Sequence, residues 1–111
     1  MSSATRAALQ QHLQAASRGV EAVMADYTEE SVLITHEATH RGRAEIRAFF
    51  AEILEGSTRG FLGALEMKRM DVAGEMAFIC WQALPWFPFA TDTLLFREGK
   101  IAYQTFAASP R

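Results

Sequence analysis

The stretch Asp92-Thr93-Leu94-Leu95-Phe96-Arg97-Glu98-Gly99-Lys100-Ile101, continued by Ala102-Tyr103-Gln104-Thr105-Phe106-Ala107, decides how this chain folds. Two runs rich in β-branched, aromatic and aliphatic residues flank a polar segment ending in glycine, the pattern of a β-hairpin. A two-residue turn at Glu98-Gly99 would need positive φ at both positions, which glutamate tolerates poorly. A three-residue loop, Arg97-Glu98-Gly99 with the glycine left-handed, avoids that strain. It predicts Asp92 opposite Gln104 and Thr93 opposite Tyr103, so that Asp92, Leu94 and Phe96 share a face with Ala102, Gln104 and Phe106. Both faces of these strands are apolar, whereas a sheet with one solvated side alternates cleanly. Something besides water is expected on the second face.

Upstream of the hairpin, about Leu62 to Val72 and Glu75 to Leu84 read as two more strands, turned at Ala73-Gly74. Pro85-Trp86-Phe87-Pro88-Phe89, three aromatics with two prolines, reads as a stiff, sticky connection that lines a cavity mouth or subunit contact in a cone architecture or else packs into the core. Before Phe61 the period is helical. Ile46, Phe49, Phe50, Ile53 and Leu54 form one stripe of a helix from about Arg43 to Glu55, closed by Gly56 to Gly60. Ala8, Leu9, His12, Leu13 and Ala16 form the stripe of a first helix, and Val20, Val23, Met24 and Tyr27 repeat the spacing in a short second one after Arg18-Gly19. Thr28-Glu29-Glu30 breaks that pattern, and Ser31 to Thr35 reads as a strand, followed by an irregular piece ending at Arg41-Gly42. Helices first and strands later predict an α+β domain spanning residues 1–111, with helices on one side of a curved antiparallel sheet.

Composition narrows the function. The 111 residues are 50% hydrophobic and 11% aromatic, an apolar load large for so small a chain. A pocket or a subunit interface is expected to take up part of it. Eleven Lys plus Arg against 13 Asp plus Glu leave a formal charge of -2, with no basic face for phosphates, so no nucleic-acid role is expected. The single cysteine, Cys80, has no intrachain partner, which suits a reducing compartment. Met1 to Gln14 lacks the apolar core of a secretion signal, and no segment reaches the roughly 20 apolar residues of a membrane span, so a cytoplasmic protein without membrane contact is expected.

Three strings carry a family resemblance: Asp26-Tyr27-Thr28-Glu29-Glu30-Ser31-Val32-Leu33-Ile34, Arg41-Gly42-Arg43-Ala44-Glu45-Ile46-Arg47-Ala48-Phe49-Phe50, and the hairpin from Asp92 to Ile101. In this order and spacing they resemble the nuclear transport factor 2-like superfamily, in its SnoaL-like and ketosteroid isomerase-like branches. The resemblance implies a cone-shaped α+β barrel closed by its N-terminal helices, with a hydrophobic cavity at the open end and dimerisation through the outer sheet face. It implies binding of a small, mostly apolar molecule, with isomerase, cyclase or dehydratase chemistry and no cofactor. A non-catalytic binding or dimerisation domain is the alternative, because fold alone fixes no chemistry.

Within that resemblance Asp92 falls where ketosteroid isomerases hold a protonated acid in an oxyanion hole, and desolvation in an apolar strand would raise its pKa. The general-base position falls on Thr35, which takes no proton at neutral pH, and the tyrosine position on the first helix falls near Gln11 or His12. The usual steroid isomerase mechanism is therefore not expected. His12, in the first helix's apolar stripe, could act as acid or base with Asp92. By the family alignment Cys80, Gln82 and Leu84 face inward, and Ile79, Trp81 and Ala83 face a partner. Leu33, Thr35, Phe50, Cys80, Gln82, Trp86, Leu94 and Gln104 are the expected ligand contacts.

His36-Glu37-Ala38-Thr39-His40 matches the H-E-x-x-H pattern of zinc proteases. That mechanism needs a helix to aim both imidazoles at one ion. The β-branched run before the motif and Gly42 after it favour a strand-to-loop passage instead, where residues four apart lie about 13 Å apart. No metal site is expected, and a zinc hydrolase stays a remote alternative.

Overall fold

The computed structural model describes residues 2–109. Three α-helices, α1 (Ser2–Ala16), α2 (Val20–Met24) and α3 (Gly42–Glu55), pack on one face of a sheet of β1 (Tyr27–Thr35), β2 (Thr39–Arg41), β3 (Leu65–Ala73), β4 (Met76–Ala83), β5 (Phe87–Arg97) and β6 (Lys100–Ala108). A single 3-10 turn, Phe61–Ala64, precedes β3. The spatial order is β2-β1-β6-β5-β4-β3. The α+β architecture expected from the element order is present. The sheet is mixed rather than wholly antiparallel, because β1 runs parallel to β6. It curves without closing, leaving β2 and β3 as its edges. Among the described residues no helix is long and apolar enough to cross a membrane.

The helices bury the stripes their spacing set out. Leu9, His12, Ile46 and Phe50 are buried, and Val20, Val23 and Met24 join the same core from α2, which packs against α1 and α3. Tyr27, read as a continuation of α2, instead opens β1, and Thr28-Glu29-Glu30 is not a break but an irregularity in the β1–β6 ladder. Ser31 stitches that irregularity: its hydroxyl donates to the Ile101 carbonyl at 2.5 Å and accepts from the Thr28 N–H at 2.9 Å. The detour lets Tyr27, Ser31 and Leu33 all face inward. At Gly42 the chain enters α3 with φ 81°, and a Cβ would sit 3.3 Å from the Glu29 carboxylate. Glycine is needed there for conformation and for space.

The hairpin corrects the expected register. Arg97 pairs with Lys100 across a two-residue turn, with positive φ at both Glu98 (53°) and Gly99 (78°). The strain was overrated, because this turn's twist matches that of the flanking strands. By itself the tighter turn would shift the register by one residue and send Gln104 and Phe106 outward. A bulge after Phe96↔Ile101 absorbs Ala102, so that Leu95 pairs with Tyr103, Leu94 with Gln104 and Asp92 with Phe106. The net difference from the expected pairing is two residues, and a period of two preserves the face. Asp92, Leu94, Phe96, Gln104 and Phe106 all point inward as expected, while Ile101 takes the inner place given to Ala102.

The facing expected for β4 is reversed. Ile79 pairs with Asp92, and cross-strand partners share a face, so Ala77, Ile79, Trp81 and Ala83 point inward. Cys80 and Gln82 lie on the outer face, and Leu84, beyond the strand, is exposed. The Pro85 to Phe89 connection is also partly strand: β5 begins at Phe87, and its pairing with β4 is irregular between Trp81 and Ala83, where Pro88 has no N–H to donate.

Candidate functional site

Between the concave face of the sheet and helices α1 and α3 lies a cavity of about 90 Å³. Its wall is aromatic. Trp81 lies between Phe61 and Phe106, with ring centroids 5.6 and 6.1 Å away and planes 30° and 20° apart. Phe87 stands edge-on to Trp81 at 5.3 Å. Leu13, Ala16, Phe49, Ile53, Leu62 and Leu65, all half-buried, and the more exposed Met67 form the rim.

Two polar groups belong to the cavity lining. Asp92 is buried, and both its carboxylate oxygens are engaged: Oδ1 accepts from Trp81 Nε1–H and Oδ2 from Gln104 Nε2–H, each at 2.8 Å. Gln104 Oε1 in turn accepts from the Tyr27 hydroxyl. Burial, aided by the Asp92 and Asp26 carboxylates, holds the Tyr27 phenol well above its usual pKa, so it remains a donor. That donor fixes the Gln104 amide with its oxygen toward Tyr27 and its nitrogen toward Asp92. The Asp92 carboxyl itself is raised above its ordinary pKa, because burial outweighs the anion-favouring effects of Trp81, Gln104 and His12.

His12, from α1, is the second polar group. Its direct partner is Asp26, not Asp92: Nδ1 lies 2.9 Å from Asp26 Oδ2. Tyr27 and Phe50 hold the ring edge-on at 5.8 and 6.5 Å. His12 and Asp92 line the same cavity, and His12 is the smallest of the influences that oppose the burial of the Asp92 carboxyl.

Of the expected contacts, Phe50, Leu94 and Gln104 line the cavity with His12 and Asp92. Leu33 is core, outside the cavity lining. Thr35 is occupied elsewhere: its hydroxyl accepts from the N–H groups of Glu37 and Ala38 at 3.1 and 3.0 Å, shaping the β1–β2 turn. Cys80 and Gln82 are on the outer face, and Trp86 covers Gly60. Trp81, Asp26, Tyr27 and Phe61 were missed as site residues. A signal for Trp81 existed, since Ala77, Ile79, Trp81 and Ala83 form the more apolar alternation of β4.

The H-E-x-x-H stretch forms a hairpin, with Ile34 paired to Thr39 and Leu33 to His40. His36 and Glu37 are exposed, and the His40 ring packs on Phe49 at 5.2 Å. The helix that zinc-protease chemistry needs is not there. Among the described residues no group of three or more His, Cys, Asp or Glu is placed to hold a metal ion.

Helices against a curved, open sheet with a hydrophobic pocket between them define an α+β cone. Solved structures make the class specific. A nuclear transport factor 2-like protein of unknown function from Burkholderia xenovorans superposes with TM-score 0.77 at 21% identity, covering 98% of this chain and 85% of that one. A candidate ketosteroid isomerase from Kribbella flavida gives 0.75 at 16%, covering 99% and 81%. A de novo designed protein with a curved β-sheet gives 0.79 at 15%, covering 99% and 88%. No family model matches the chain, and no curated protein matches it. The chain has the nuclear transport factor 2-like fold.

Proposed function

We propose that this protein binds a small, mostly apolar molecule in its cone and carries out proton transfer on it, in the manner of an isomerase, cyclase or dehydratase. One observation carries the reading. An otherwise apolar cavity holds a buried carboxyl of raised pKa and an imidazole on one small volume, the pairing that acid–base chemistry uses. The size of the cavity selects the ligand. About 90 Å³ is well below the roughly 300–1,000 Å³ of pockets for drug-sized ligands, and a four-ring steroid does not fit without displacing the rim. A single ring is the scale, admitted by small movements of Leu13, Ile53 and the flexible Met67 side chain.

Phenol, one apolar ring with one polar group, is a suitable probe. It is expected to bind with Kd about 1 mM or tighter, perturbing the NMR signals of Trp81 Nε1–H and His12. Perturbations confined to the outer surface would contradict the reading. A purely binding role is favoured by one fact, the engagement of Thr35 in a turn. In that case Asp92→Asn would leave phenol affinity unchanged and no substrate would turn over.

The reading includes a homodimer. On the outer sheet face the pairing brings Met76, Leu95 and Tyr103 into one row and Phe78, Thr93, Thr105 and Ile34 into the next. Tyr103 is 49% exposed, Ile34 47% and Met76 46%, an apolar patch suited to a second copy. Sedimentation velocity is expected to show a dimer that Tyr103→Glu dissociates; a monomeric parent protein would refute this part.

A further inference from the structure

We propose that Asp26 is a positioning residue that makes His12 Nε2 the proton acceptor of the cavity. The proposal rests on the reading above and names the base that reading lacks, relocating it from the β1 end, where Thr35 stands, to helix α1.

Asp26 lies in the link from α2 to β1, and its backbone is tied on both sides. Its N–H donates to the Val23 carbonyl at 3.1 Å, and its carbonyl accepts from the Ile101 N–H at 2.8 Å. The carboxylate is thereby held against His12, and the two side chains are only 15% and 9% exposed. An ionised carboxylate can only accept, so the proton between them belongs to His12 Nδ1. The neutral ring then carries its lone pair on Nε2. Among the described residues no group partners Nε2, and none of the fully buried side-chain nitrogens or oxygens lacks a partner. Nε2 thus keeps some exposure, on a ring that lines the cavity.

Charged and polar groups pack around the ring from several elements. Asp26 is in direct contact and Asp92 faces the same cavity from β5. The Tyr27 hydroxyl, on β1, stays protonated and is committed to Gln104. Arg43, on α3, is the neighbouring cation, and its Nη1 is spent on the carbonyls of Met24 and Tyr27 at 2.5 and 2.8 Å. In the step itself a ligand O–H or C–H bond breaks and its proton bonds to His12 Nε2. The electron pair remains on the ligand as an oxyanion or enolate, and the new imidazolium is balanced by Asp26. No oxidant or reductant is involved.

The test combines ¹⁵N NMR of histidine-labelled protein, assigned with His12→Gln, and the absorbance of 4-nitrophenol, which separates phenol from phenolate. Wild-type His12 is expected as the Nδ1–H tautomer. Bound nitrophenol is expected to be richer in phenolate than the free dye at the same pH. In Asp26→Asn the bound phenolate-to-phenol ratio should fall about tenfold and the tautomer preference should be lost. An unchanged ratio and tautomer in Asp26→Asn would overturn the proposal. If nitrophenol does not bind the wild type, the ligand reading fails, and the tautomer decides the role of Asp26 alone. If Asp26→Asn does not fold, the wild-type spectrum decides: an Nε2–H ring refutes the proposal.

Discussion

Replacing Trp81 by alanine is expected to cost about 3–5 kcal/mol of folding stability, a large share of the roughly 5–15 kcal/mol that holds a domain together. Trp81 is 6% exposed and is the centre of the aromatic wall, between Phe61 and Phe106 with Phe87 at its edge. Its removal merges a new void with the existing cavity, and Phe61 and Phe106 both lose their stacked partner. The indole also donates to Asp92 Oδ1, so alanine leaves a buried carboxylate oxygen without its donor. Trp81→Phe separates the two effects: it keeps a ring in the wall and is expected to cost about 1–3 kcal/mol through the lost donor. Denaturant midpoints measure both. Were Trp81 on the outer face against a partner subunit, alanine would instead weaken the dimer and leave the fold intact, so a cost below about 1 kcal/mol would contradict this packing.

Gln104→Leu is expected to be the next most damaging change, and its cost depends on pH. The substitution roughly conserves volume but removes the acceptor of the buried Tyr27 hydroxyl and the donor to Asp92 Oδ2. Two stranded buried groups at about 1–3 kcal/mol each give roughly 2–6 kcal/mol at neutral pH. The sign of the pH effect follows from Asp92, whose folded pKa is raised above its ordinary value by burial. A carboxyl raised on folding weakens the fold as pH climbs from about 3.9, its unfolded value, through the folded pKa, and by a constant amount above it. Loss of the Gln104 donor raises the folded pKa further and widens that window upward. The deficit of Gln104→Leu relative to wild type should therefore shrink as pH falls toward 4. A deficit that grows on acidification would mean that Asp92 is held by something other than this chain of donors.

Much of this arrangement was legible in residue spacing, and the errors have physical causes. The α3 stripe and the hairpin strands follow from period alone. The inward facing of Asp92, Leu94, Gln104 and Phe106 survived a mistaken turn because a bulge at Ala102 restored the parity. Bulges leave little local trace in a sequence, and the one near Tyr27 hid a strand start behind three polar residues. The facing of β4 failed for a different reason. It was carried over from a distant resemblance, although its own alternation, with Ile79 and Trp81 on one side and Cys80 and Gln82 on the other, pointed the correct way. The partnership of His12 with Asp26 depends on how α1 lies across the start of β1. No one-dimensional pattern encodes that crossing.

The surplus of apolar residues also acquires definite places. Part of it forms the aromatic wall of a cavity that the helices do not fill, and part lies on the outer face in rows around Phe78 and Tyr103. Asp92 and His12 sit at the first of these places, while Arg69 and Arg97 lie over Phe78 and Tyr103 at the second.

The central claim is that the cone between α1, α3 and the sheet receives a single-ring ligand with its polar end on His12 and Asp92. A crystal soaked in 4-bromophenol tests it directly through the anomalous signal of bromine. The account places the bromine among Trp81, Phe49 and the rim leucines, with the phenol oxygen on His12 Nε2. An empty cavity with bromine only on the outer sheet face would contradict it.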